Sequence, residues 1–171
     1  MFKKIIGITI TLLISFTLFG CKDELPKKDI INISFEELPI SLETGEDLSV
    51  IIKTSEVLTL LLAENEWLSA VPAWLPEDTN RWVVFDDDFF ANNVLIIHSE
   101  ITNSVSISYS LENIQIVEGS LELNILGEYY GDTMYDTLGF AYFVVEVLKS
   151  NLQEIESFSV NKRYEQLDYN N

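Results

Sequence analysis

Cysteine occurs once in this chain, at Cys21, and histidine once, at His98. A lone thiol cannot close an internal disulfide, so no cystine framework staples the fold. A lone imidazole makes any Ser-His-Asp arrangement depend on His98, and no Gly-x-Ser-x-Gly elbow is present. There is no phosphate-cradling glycine loop, zinc-ligand spacing or nucleotide fingerprint. Bases are scarce too: ten Lys and Arg stand against 28 Asp and Glu. A chain this acidic repels polyphosphates and anionic lipid surfaces, which excludes nucleic-acid binding. The apolar run near the start, residues 5–19, has 15 residues. That is short of the about 20 that a spanning helix needs.

What the first residues do contain is an export signal. Its three parts are a basic start, an apolar stretch and a small residue at the cleavage point. Met1-Phe2-Lys3-Lys4, residues 5–19 and Gly20 supply them in order. Leu18-Phe19-Gly20-Cys21 resembles the bacterial lipobox, with Phe19 standing where a small residue is usual. The resemblance implies cleavage between Gly20 and Cys21 and acylation of Cys21, which would hold the mature chain to a membrane of the cell envelope. Each buried methylene adds roughly 0.8 kcal/mol of membrane affinity, so two or three acyl chains anchor durably. Lys22-Asp23-Glu24 resembles the surface-export signal of lipoproteins in some Gram-negative lineages; an ordinary charged tether is the other reading. Lys3 and Lys4 leave with the signal, so the mature chain keeps eight bases against 28 acids, a formal charge of −20. Solubility accounts for such acidity, and a cationic partner or divalent ions would exploit it.

Residues 1–20 thus read as the signal peptide, and 21–30 as the lipidated cysteine and a polar, proline-bearing tether. Residues 31–171 read as one mainly β domain of α+β class, an antiparallel sheet with one substantial helix. Strands are expected over 31–35 and 48–53, with a turn at Thr44-Gly45 between them. Thr54 or Ser55 can cap a helix over about 55–67, with Val57, Leu58, Leu61, Leu62 and Leu68 as its apolar stripe. Pro72 and Pro76 mark an irregular stretch, and Asp86 or Asp87 can cap a helical turn near 87–92. Residues 94–98 form a compact apolar run, and 104–111 alternate polar and apolar, the period of a strand with one wet face. A turn at Glu118-Gly119 leads to a further alternating strand through Leu121, Leu123 and Ile125. Residues 140–148 are apolar on both parities except at Glu146, which predicts a strand covered on both faces. A short helical turn near 150–156, opened by Ser150, and a last strand over 158–160 follow. Short connections predict antiparallel neighbours.

Candidate chemistry is sparse. His98 lies in the apolar run, near the expected end of its strand; with Ser99 or Ser104 as nucleophile it would be the base of a hydrolytic set, and a sheet residue is the plainer reading. Asp86-Asp87-Asp88 offers oxygen ligands to a hard cation, but lacks the alternating spacing and glycine of a calcium loop, so capping and solvation are the expected roles. Asp132 and Asp136 could pair as carboxylates for glycoside hydrolysis. No catalytic residue, cofactor or metal is assigned. Trp67, Trp74 and Trp82 fall in the proline-bearing stretch, and Tyr129 and Tyr130 in an expected loop. Aromatics so placed close a core edge or form a protein or sugar contact, and these five are the candidate interaction surface.

Several of these pieces, in this order, resemble a family of small bacterial lipoproteins carrying the domain named for the protease-stabilising subunit PrcB. The residues that carry the resemblance are Ile52-Lys53-Thr54-Ser55-Glu56, Phe85-Asp86-Asp87-Asp88-Phe89-Phe90, residues 94–97 with the alternating strand after them, and Phe143-Val144-Val145-Glu146-Val147. They span roughly residues 50–150. The family often has a glycine-containing turn between the two strands, where this chain has Thr102-Asn103-Ser104-Val105. The resemblance implies a non-catalytic domain that binds another protein of the envelope or exterior, such as an exported protease complex. An envelope hydrolase and a carbohydrate-binding module are the competing readings.

Overall fold

A computed structural model describes residues 29–40, 45–70, 81–130, 138–152 and 154–168. The expected signal peptide, Gly20, Cys21 and the tether through residue 28 lie outside the described residues, as do Thr44, Pro72, Trp74, Pro76, Asp132 and Asp136.

The strand expected over 31–35 is two short strands, β1 (Ile30–Ile33) and β2 (Phe35–Glu37), which join different sheets on either side of Ser34. β3 (Leu48–Ile52) follows, and Thr54 opens α1 (Ser55–Glu64) by accepting the Val57 N–H at 3.2 Å. The helix expected to reach 67 breaks at Asn65, whose backbone leaves the helical region (φ −124°, ψ 77°). Both the N–H and the side-chain amide of Asn65 donate to Leu61 O at 2.9 Å, satisfying a terminal carbonyl before α2 (Glu66–Ser69) begins. α3 (Asp87–Asn92) is capped by Asp86, which accepts the Phe89 N–H at 3.0 Å. It runs directly into β4 (Asn93–Thr102). β5 (Ile107–Val117), β6 (Ser120–Tyr130), β7 (Gly139–Leu148), a 3-10 turn (Lys149–Asn151) and β8 (Phe158–Leu167) complete the order.

The strands form two four-stranded sheets, β1-β5-β6-β8 and β2-β7-β4-β3. Face to face they enclose a first core of Ile33, Leu111, Ile114, Leu121, Leu123 and Ile125 against Val94, Ile96, Phe143, Val145 and Val147. A one-residue bulge at Glu112 switches the parity of β5, so that Leu111 and Ile114 both point inward. The other face of β4 and β7 packs Leu95, Ile97 and Val144 under Leu58, Leu68, Trp82, Phe85 and Phe90 of the helical layer. The central strands are therefore covered on both sides, as the apolar residues on both parities of β7 require. Each large aliphatic side chain so enclosed contributes about 1.5–3 kcal/mol relative to exposure. The result is three layers: sheet, sheet, helices.

Four local expectations give way. β5 starts at Ile107, and the residues before it invert the alternation: Ser104 is buried and Val105 exposed. A turn dictates this, with Thr102 Oγ1 donating to Ser104 O and Ser106 N–H to Ser104 Oγ. Val57 of the expected apolar stripe is exposed on α1. In place of a helical turn over 150–156, the 3-10 turn ends at Asn151 and buries Leu152. The last strand is ten residues long rather than three, and it pairs in parallel with β6. β7, in the other sheet, separates β6 from β8, so no hairpin dictates their sense.

Candidate functional site

Two surfaces of the molecule concentrate side chains with something to do. The first is the helical layer. Trp82 is buried there, its ring 5.9 Å from Phe85 and its Nε1 donating to Leu68 O at 3.0 Å. Phe85, Phe89 and Phe90 continue edge-to-face at 4.9 and 5.0 Å. Trp67 is half-buried against the same cluster. In the same segments of the chain Val57, Leu60, Val83 and Val84 are 43–67% exposed. Of the three consecutive acids, Asp86 caps α3 and Asp87 accepts the Ser55 hydroxyl, tying the start of α3 to the start of α1. Among the described residues no group of three acidic, His or Cys side chains is arranged to hold a metal ion.

The second surface is a cleft of about 380 Å³ where the two sheets part. Odd and even positions decide who lines it. Even-numbered residues of β4 face the sandwich, so the apolar Val94 and Ile96 are followed along the strand by His98, Glu100 and Thr102. Opposite them, Tyr109, Gly127 and Tyr164 form one row across β5, β6 and β8. A Cβ on Gly127 would sit 2.8 Å from the Tyr164 ring, so the glycine is what lets that ring lie against the sheet. Tyr109 and Tyr164 meet edge-on, centroids 6.4 Å apart. Lys162, one row deeper, pairs with Glu100 across the cleft. Burial, then Tyr164, pushes the Tyr109 phenol up to about 12, so it stays protonated.

His98 lies under this cleft in the body of β4 rather than near the strand end. Its Nδ1 is 2.9 Å from Ser49 Oγ on the neighbouring strand, and its Nε2 is 3.8 Å from Glu100 Oε2. Hydroxyl, imidazole and carboxylate thus line up, but Nε2 is enclosed and only 6% of the His98 side chain is exposed. Burial pulls its pKa down against the opposing effect of Glu100, which favours the neutral ring.

The sequence-predicted aromatics do not converge. Trp82 is in the core of the helical layer, Trp67 at its margin, and Trp74 outside the described residues. Tyr129 and Tyr130 are the last residues of β6, in the outer sheet, and not in a loop. Glu100, Lys162, Tyr109 and Tyr164 carry no local motif that points to a site. Their one legible signal is polar residues on the inward parity of strands that are otherwise apolar there.

Among the described residues no helix is long and apolar enough to cross a membrane. No protein family, curated protein or solved structure matches the chain.

Proposed function

We propose that the chain is a membrane-anchored lipoprotein whose domain, residues 31–171, binds another protein of the cell envelope or exterior without catalysing a reaction. In this reading the export signal ends at Gly20, lipid on Cys21 holds the protein to a membrane, and residues 22–30 lift the domain off it. The observation that carries the binding role is the exposure of four aliphatic side chains on the helical side of the chain, Val57 and Leu60 on α1 and Val83 and Val84 ahead of α3. Large apolar side chains left exposed on a strongly acidic chain are the groups that a protein contact would cover. The PrcB-like resemblance points to an exported protease complex as the partner class. Enclosure of His98 Nε2 supports the non-catalytic side of the reading, since a general base must reach the proton it takes.

The test is a pull-down from solubilised envelope with the full chain and with Leu60→Glu and Val84→Glu. Both substitutions fall on exposed positions and leave the melting temperature within about 2 °C of the parent, since surface changes are worth roughly ±0.5 kcal/mol. The parent retains a reproducible protein partner and the variants lose it. A parent with no reproducible partner, or variants that bind as well as the parent, contradicts the proposal.

A further inference from the structure

The inter-sheet cleft is a different surface from the helical layer and supports an inference that does not depend on the protein-partner reading. Charge narrows the ligand first. Glu100 is the one carboxylate among the residues lining the cleft, and Lys162 already neutralises it. An anion would meet Glu100 and the field of a strongly acidic chain. A cation would have to displace Lys162. A neutral ligand meets neither cost.

Hydrogen bonding narrows the class further. A carboxylate only accepts and an ammonium only donates, whereas the phenol hydroxyls of Tyr109 and Tyr164 do both. A ligand matched to that set carries several groups that each donate and accept, which is the property of sugar hydroxyls. The tyrosine rings, with Ile101 and Ile107, add the apolar wall against which the C–H face of a pyranose packs. A volume of about 380 Å³ lies at the low end of small-molecule sites, roughly 300–1,000 Å³, and suits one ring rather than an extended chain.

We infer that this cleft binds a neutral saccharide through a single ring, held by Glu100, Lys162, Tyr109 and Tyr164. Gly127 acts as a positioning residue, because any side chain there pushes Tyr164 off the sheet.

The experiment is an amide NMR titration of the full chain, lipidated and held in a zwitterionic detergent without sugar headgroups. Glucose, N-acetylglucosamine and rhamnose are the neutral probes; acetate and butylamine are the charged ones. At least one sugar gives saturable shifts at millimolar concentration, centred on residues 100–109 and 162–164. Tyr164→Ala and Gly127→Ala each weaken binding about tenfold, equivalent to about 1.4 kcal/mol. Gly127→Ser, which also crowds Tyr164, behaves like Gly127→Ala, and the folded spectrum of each variant separates lost binding from lost fold. Three results would overturn the inference: no saturable shift with any sugar, binding of acetate or butylamine alone, or unchanged sugar affinity in Tyr164→Ala. A failed pull-down in the preceding experiment leaves this result unaffected, because the two surfaces are distinct.

Discussion

At the scale of single residues, the most instructive side chain is Glu146. It interrupts the apolar run of β7 and stands directly opposite Glu36 of β2. Burial, then the Glu36 carboxylate, raises its pKa above the ordinary carboxylate range. A carboxyl whose folded pKa is raised favours folding in its protonated form. Its contribution is fully present below the unfolded value and lost as pH rises through the folded one. Glu146→Gln therefore stabilises the protein at neutral pH by roughly 0.2–1 kcal/mol, the scale of a like-charge cross-strand pair. The gain disappears in acid, where the parent is protonated. Urea denaturation at neutral and acid pH measures it; a variant no more stable than the parent at neutral pH refutes this account of the pair. His98 has the opposite sense: its folded pKa is lowered, so its stabilising contribution is full above the unfolded value and declines as pH falls through the folded one.

At the scale of elements, the hairpin between β5 and β6 is made by two residues with positive φ, Glu118 at 52° and Gly119 at 83°. That is the twist a two-residue hairpin requires, and Asn-Gly is its usual composition. Space around Gly119 is open, with nothing within 4 Å of an added Cβ. Gly119→Ala thus isolates the backbone term and costs about 1–2 kcal/mol in thermal unfolding. A neutral result means that the turn relaxes to another type at no cost.

The same hairpin shows what was legible in the sequence. At three local signals the reading and the structure agree: Thr54 and Asp86 cap their helices, and Glu118-Gly119 turns the chain. The alternation in β6 also marks its buried face correctly. Local rules also explain the misses. Ser104 and Val105 continue an alternating string, yet a turn held by side-chain hydrogen bonds inverts them. Asn65 interrupts a helix whose apolar positions continue beyond it. Residues 161–166 of β8 are all exposed, so the strand leaves no burial pattern, and its parallel pairing comes from a crossover through the other sheet.

At the scale of the molecule, the inward face of β4 is apolar at one end of the sandwich, at Val94 and Ile96, and polar at the other, where Glu100 meets Lys162 of β8. These two residues are 62 positions apart, so no spacing in the sequence announces the cleft between them. The candidate aromatics were legible as residues but not as a surface, because only packing decides that Trp82 is core and Tyr130 exposed. The proposed protein-binding residues lie on the helical side of the β4 sheet and the proposed saccharide cleft between the two sheets, so the two surfaces are distinct.

The central claim is that this domain is carried on a lipid at Cys21. Cells producing the full chain are fed an alkyne fatty acid, and the purified protein is examined for label. The account predicts a labelled chain in the membrane fraction for the parent and an unlabelled chain for Cys21→Ala. Label retained by Cys21→Ala, or absent from the parent, would contradict it.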